Sequence, residues 1–139
     1  MDLHVLLEKA ANDHHHLCPR QVLGVRIGLA GMNALGFVEP PTNKRLLLIS
    51  ETDGCFVDGL WAATNCSVGH RTLRVEDYGK TAAVFVDVIS GRAVRVARRP
   101  AFAIKRTLMP LMNHDITLLS FRRIKSCPKL NWSPSNRWC

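Results

Sequence analysis

The chain has 139 residues, is 47% apolar and carries a formal net charge of +8, which is enough sequence for one well-packed core and too little for two ordinary domains. It contains no run of roughly 20 apolar residues, as a membrane span requires, and its N-terminus lacks the features of a secretory signal. Its five cysteines have no framework-like spacing, which suits a reducing compartment. We therefore expect a cytoplasmic protein without a membrane segment.

The excess positive charge is confined to the C-terminal third. Residues 1–91 contain 8 Lys/Arg and 10 Asp/Glu, whereas residues 92–139 contain 11 Lys/Arg and only one acid, Asp115. Such asymmetry is typical of a surface for an acidic protein or a small anionic ligand, and equally of solvated faces of ordinary elements. The basic residues form scattered pairs without interleaved aromatic residues, which argues against a nucleic-acid partner.

Apolar periodicity predicts an α+β fold, with a small mixed or antiparallel sheet and helices packed on it. The predicted helices cover residues 2–12, 19–35, 57–64 and 100–112. The predicted strands cover residues 45–50, 73–76, 82–89 and 92–97, of which the last two form an antiparallel hairpin. Residues 116–124 fit either a strand or a helix, and residues 126–139 read as an extended tail behind a core domain of residues 1–125.

The second predicted helix contains three glycines at spacings of four and three, Gly24, Gly28 and Gly31. A glycine inside a helix costs about 1 kcal/mol relative to alanine. Their repetition suggests close packing against another backbone, such as that of a second subunit. The alternative is a helix of low propensity that tertiary contacts hold in place.

The segment before this helix has the pattern H-x-H-x-C-P, formed by His14, His16, Cys18 and Pro19. Because side chains alternate along an extended segment, the two imidazoles and the thiol can project to one side. Imidazole and thiolate are ligands that Zn²⁺ and other transition metals prefer. Pro19 suits the first helical position, which places Cys18 at a helix N-terminus, where the thiolate is favoured.

Further candidate residues follow the buried strand of residues 45–50. Cys55 lies between that strand and a helix, and therefore also near a helix N-terminus. Cys66, eleven residues later, would lie about 16 Å away along a continuous helix, so one ion could not bind both. Lys80, in the turn that begins at Asp77, could supply a positive charge to a thiolate or anion, although a purely structural turn explains this segment equally well.

An ordered set of short motifs covers residues 10–97 and resembles the E-subunit family of formylmethanofuran dehydrogenase. After the H-x-H-x-C-P segment come G-x-R-x-G from Gly24, D-x-C-x-x-D from Asp53, T-x-C-x-x-G from Thr64, D-Y-G-K from Asp77 and G-R-A-V-R-V from Gly91. The chain differs from the family pattern at His15 and Arg20, where the family usually has glycine. It also lacks the C-terminal zinc finger that many members carry.

The resemblance implies an α+β core that commonly dimerises, with a metal or active site around the His/Cys segment and the D-x-C loop. Carried over to this chain, it implies His14, His16, Cys18 and Cys55 as the metal ligands. It places three further residues nearby as cofactor-binding candidates, namely Asp58, Cys66 and Lys80. The family name reflects association with a molybdenum or tungsten enzyme.

Three functions remain open at the level of sequence. The favoured one is a metal-binding protein that holds Zn²⁺ or another transition metal in a structural, carried or catalytic role, with a metal-containing tetrapyrrole as a less favoured cofactor. The second is a thiol enzyme or redox protein, in which Cys18, Cys55 and Lys80 are the catalytic candidates. The third is a non-catalytic module that docks an acidic partner through its basic C-terminal third.

Overall fold

The computed structural model describes residues 2–12 and 16–98, and the backbone of residues 119–123. Within these residues the chain forms three α-helices, namely α1 (Leu3–Ala11), α2 (Pro19–Leu35) and α3 (Cys55–Thr64). The strands are β1 (Leu46–Ser50), β2 (Leu73–Val75), β3 (Ala82–Asp87), β4 (Arg92–Arg98) and β5 (Leu119–Arg123). The predicted α+β class is confirmed. The predicted helix at residues 100–112, the tail at 126–139 and the cysteines Cys127 and Cys139 lie outside the described residues.

The strands form one mixed sheet in the order β2-β1-β3-β4-β5. β1 and β2 run parallel, and α3 lies on the connection between them, whereas every other neighbouring pair is antiparallel. The predicted hairpin is confirmed, with Ala82 paired to Ala97 and Asp87 to Arg92. The ambiguous segment 116–124 contributes a strand, β5, at the edge beside β4.

One face of the sheet packs against α2 and α3 and forms the main core. Alternate residues of β1 are buried, as expected for a strand with one covered face. Phe56 of α3 and Phe85 of β3 are completely buried there. α1 packs on the outer side of the helix pair, where Leu6 and Ala10 bury against Val25 and neighbouring residues of α3. The sheet therefore supports α2 and α3, and their N-terminal ends project beyond it.

The ends of the elements follow local chemistry with two adjustments to the predicted bounds. α3 begins at Cys55 rather than residue 57, because Gly54 adopts a positive φ of 68° and its carbonyl accepts a hydrogen bond from the Val57 N–H at 2.8 Å. β3 ends at Asp87 rather than residue 89. The Asp87 carboxylate there accepts hydrogen bonds from the Ile89 N–H and the Ser90 hydroxyl, which turns the chain.

Two ion pairs fix the sheet from within. Arg45 donates two hydrogen bonds of 2.8 Å to the buried Asp87, and the Arg45 guanidinium holds the pKa of that carboxyl far below its usual range. Arg95 makes a similar two-bond contact with Glu51, which is 7% exposed at the end of β1. Arg95 belongs to the basic C-terminal third, and its charge is neutralised in this pair.

Candidate metal and thiol site

The site begins with a close contact between α2 and α3 at two glycines. A Cβ atom added to Gly59 would lie 2.2 Å from the carbonyl oxygen of Gln21, and one added to Gly24 would lie 2.3 Å from that of Phe56. Real Cβ atoms essentially never approach other atoms more closely than 3.0 Å, so only glycine permits this crossing. The backbone that the glycines of α2 approach thus belongs to α3 of the same chain. The suggestion that it belongs to a second subunit was wrong.

The crossing lies near the start of both helices and brings their N-terminal ends together. Cys18 is the N-terminal cap of α2 in an extended conformation, with Pro19 at the first helical position as predicted. The side-chain oxygen of Gln21 accepts the Cys18 N–H at 2.8 Å, which completes a capping box. Cys55 is the first residue of α3. Two cysteines from distant parts of the chain therefore occupy equivalent positions at adjacent helix starts.

The two cysteine side chains contact each other. The Cys55 thiol donates a hydrogen bond to the sulfur of Cys18, and both side chains are half-buried. Because a donor favours the negative charge on its acceptor, this hydrogen bond lowers the pKa of Cys18 and raises that of Cys55. The pair is therefore asymmetric, with Cys18 the first to ionise.

The surroundings of each sulfur increase this asymmetry. Around Cys18 the largest effect is a hydrogen bond from the Arg20 backbone N–H, and the Gln21 N–H and the Arg20 charge also lower its pKa. Around Cys55, burial and the nearby Asp58 carboxylate add to the effect of Cys18 and raise the pKa further. Ionisation of the pair thus places one negative charge on Cys18 and leaves the proton on Cys55.

The histidines of the predicted ligand set are less constrained by the structure. His14 lies outside the described residues, and His16 is exposed two residues before Cys18. Within residues 2–12 and 16–98 there is no group of three His, Cys, Asp or Glu side chains arranged to hold a metal. The structure thus brings together Cys18 and Cys55, with Asp58 close enough to affect the pKa of Cys55. The complete four-residue ligand set stays a prediction.

A sequence profile of the family described as "FmdE, Molybdenum formylmethanofuran dehydrogenase operon" matches residues 14–123. The chain belongs to the FmdE family. An FmdE-like protein of the tungsten formylmethanofuran dehydrogenase type, from Syntrophus aciditrophicus, has a similar fold, with a TM-score of 0.66 and 22% sequence identity over 92% of this chain and 74% of that one. This match confirms the fold.

Another relative of this FmdE chain is a protein of Archaeoglobus fulgidus named "Probable S-adenosyl-L-methionine-binding protein". The two are 36% identical over 94 residues, which are 66% of this chain and 26% of the relative. The FmdE chain thus spans about a quarter of the length of that relative. The homodimer, the acidic or anionic partner and the cytoplasmic location stay predictions. Among the described helices, none is long and apolar enough to cross a membrane.

Two further residues of the FmdE motifs lie apart from the thiol pair. Cys66 is 3% exposed in the main core, where its thiol donates to the Leu46 carbonyl at 3.6 Å and burial raises its pKa. The ammonium group of exposed Lys80 lies 6.0 Å from the ring centre of Tyr78. Neither residue is among the groups that shift the pKa of Cys18. Their assignment to cofactor binding therefore stays a prediction from the family resemblance.

Two residues that support the site were not identified from the sequence. Gln21 is completely buried and joins Cys18 to α1, since its amide nitrogen donates to the Ala10 carbonyl at 2.7 Å. Its position three residues after a helix cap is the sequence signal that could have identified it. Glu51 precedes the Cys55 loop, and its backbone carbonyl accepts N–H groups from Tyr78 and Lys80 at 3.0 and 3.1 Å. No sequence pattern indicates that role.

Proposed function

We propose that this FmdE protein binds one transition-metal ion, with Zn²⁺ preferred, between the thiolates of Cys18 and Cys55. The observation that carries this proposal is the contact between the two thiols at adjacent helix N-termini. Two soft sulfur donors side by side suit Zn²⁺ and other thiophilic ions. A divalent cation also removes the repulsion that prevents both sulfurs from ionising together.

His16, and His14 before it, are proposed as the remaining ligands. His16 is separated from Cys18 by one residue and is exposed, so its side chain has room to turn toward the sulfurs. Imidazole completes the Cys/His sets in which Zn²⁺ is commonly held. The described residues thus fit the thiolate half of such a site, and the family description, which refers to the operon of a molybdenum enzyme, supports a metal-related role.

The chain's own residues prepare the sulfurs for this role. Backbone N–H groups at the start of α2 stabilise the Cys18 thiolate before any cation arrives. Cys55 releases its proton when the ion binds, so affinity should increase with pH. With three protein ligands the ion would supply Lewis-acid chemistry at an open position, and with four it would be structural or carried.

Metal content tests the proposal directly. We expect one equivalent of metal in untagged protein purified without added metal, and two-thiolate charge-transfer absorption after substitution with Co²⁺. Cys18→Ser and Cys55→Ser should each weaken affinity by at least about 100-fold. His16→Ala should weaken it less, and His70→Ala, which alters another exposed histidine bonded to Ser67, should leave it unchanged.

Two results would contradict the proposal. Full metal content at unchanged affinity in Cys55→Ser would show that the thiol pair is not the site. A Soret-type absorption band in the purified protein would replace the simple ion with a tetrapyrrole.

A further inference from the structure

We propose that Cys18 and Cys55 also form a dithiol that exchanges with small-molecule disulfides, and that this exchange controls whether the pair can bind metal. The two sulfurs already contact each other although they lie on different helices. The third cysteine of the described residues, Cys66, is buried in the core. The exchange itself follows from the contact, and only its effect on metal rests on the proposed function.

The surroundings of the two sulfurs assign them different roles in the exchange. Cys18 receives N–H groups from Arg20 and Gln21 and lies beside the Arg20 charge, so it carries the thiolate that attacks. Cys55 donates its S–H to Cys18 and therefore holds a proton until the second step. Cys18 is also preceded by residues without regular structure, which allow its side chain to turn.

The reaction balances with a small-molecule disulfide as the oxidant. The Cys18 thiolate attacks one sulfur of that disulfide, the S–S bond breaks, and a thiolate leaves and takes a proton from solvent. Cys55 then loses its proton and attacks the Cys18 sulfur of the mixed disulfide. The second small thiol leaves with that proton. The protein is oxidised by two electrons, and the small disulfide is reduced to two thiols.

Oxidation and metal binding exclude each other at this pair. The metal ligand is the thiolate, and a disulfide contains none. A bound ion therefore protects the pair from oxidation, and oxidation prevents the ion from binding. The tight contact at Gly24 and Gly59 keeps the two helix starts together in both states, so the disulfide needs adjustment of the side chains rather than separation of the helices.

The test uses reduced, metal-free, full-length protein with excess glutathione disulfide under anaerobic conditions. Samples are quenched with acid and mapped by mass spectrometry of peptides. We expect an internal bond between Cys18 and Cys55 that forms at least about 10-fold faster than any modification of Cys66. Cys55→Ser should stop at a glutathione adduct on Cys18. Cys18→Ser should react at Cys55 at least about 10-fold more slowly than wild type reacts at Cys18.

Wild-type protein that accumulates the glutathione adduct on Cys18 without forming the internal bond would overturn the proposal. Equal reactivity of the two cysteines in the single variants would overturn the assigned roles. Near-ultraviolet circular dichroism of each variant confirms that its fold is retained before rates are compared.

Zn²⁺ separates this proposal from the function proposed above. We expect Zn²⁺ bound to the reduced protein to slow formation of the internal bond, and the oxidised protein to bind none until dithiothreitol restores it. Reduced protein that forms the bond but takes up no Zn²⁺ would refute the metal function and support the exchange. Reduced protein that binds Zn²⁺ but, freed of it, never forms the bond would refute the exchange alone.

Discussion

Gly59→Ala should weaken the protein and separate the two thiols at the same time. The new Cβ would lie 2.2 Å from the Gln21 carbonyl oxygen, 2.8 Å from the Val25 nitrogen and 2.9 Å from the Gly24 Cα, all of which are backbone atoms. None of them can move without the helix that carries it. The helices must therefore move apart by about 1 Å to relieve the overlap.

The expected free-energy change combines two opposing effects. Overpacking of this kind costs typically about 1–3 kcal/mol, and a contact with rigid backbone belongs at the upper end or above it. Alanine returns about 1 kcal/mol through its higher helix propensity. We expect a net loss of about 2 kcal/mol in the free energy of unfolding, which lowers the melting temperature by roughly 5–10 °C for a chain of this length.

The assay combines thermal unfolding with the rate at which the Cys18–Cys55 bond forms in glutathione disulfide. Both the melting temperature and the rate should fall in Gly59→Ala. The control is Gly69→Ala, because a Cβ at Gly69 meets nothing within 4 Å. Wild-type stability together with a wild-type rate in Gly59→Ala would refute the idea that the glycine contact sets the spacing of the thiols.

Three further predictions concern charge. Arg95→Met leaves the Glu51 carboxylate buried without its partner and should cost about 3 kcal/mol in chemical denaturation, and a double variant that also carries Glu51→Gln should recover part of that loss. The rate of Cys18 alkylation should rise with pH around a midpoint below the usual thiol value of about 8.5, and Cys55→Ala should move that midpoint upward because a hydrogen-bond donor is lost; an unchanged midpoint would contradict the donor role. The lowered pKa of Asp87 contributes stability that is fully present above the usual carboxyl value of about 3.9 and is lost as the pH falls below it, so Asp87→Asn should flatten the decline of unfolding free energy in acid, and an equally steep decline would refute the assignment.

Local signals were sufficient to predict most of the helices and strands. Pro19 marked the start of α2, and Gly36, which adopts a positive φ of 86°, marked its end. Alternating apolar residues and the Ser90–Gly91 turn predicted the β3–β4 hairpin. These elements were predictable because the residues that define them are close together in sequence.

The partners of those elements were harder to predict, because contacts between distant residues leave no local pattern. The glycine spacing in α2 correctly indicated a close backbone contact, yet nothing near Gly24 identifies Gly59 on α3 as its partner. The same limit applies to Cys66. Its distance from Cys55 along the chain suggested that it could not share an ion, but its burial against Leu46 depends on how α3 lies on the sheet.

The thiol site itself was predictable in part. Cys18 and Cys55 were each placed at a helix start from the residues beside them, and the structure confirms both placements. Their direct contact could not be derived from sequence, because it depends on the crossing of α2 and α3. The opposite pKa shifts of the two thiols follow from that contact, so the division of roles between them became evident only in three dimensions.

Gln21 has a consequence for how the site could change during evolution. Its amide group bonds to Ala10 on one side and to Cys18 on the other, so a single buried side chain fastens both ends of the segment that carries His14 and His16. The entropy of closing such a loop grows slowly with its length, about 0.6 kcal/mol per doubling. Residues can therefore be inserted or exchanged between these two anchors at little expense to the fold. Selection can alter the histidines, and with them the choice of ion, while the thiols and the helices beneath them stay in place.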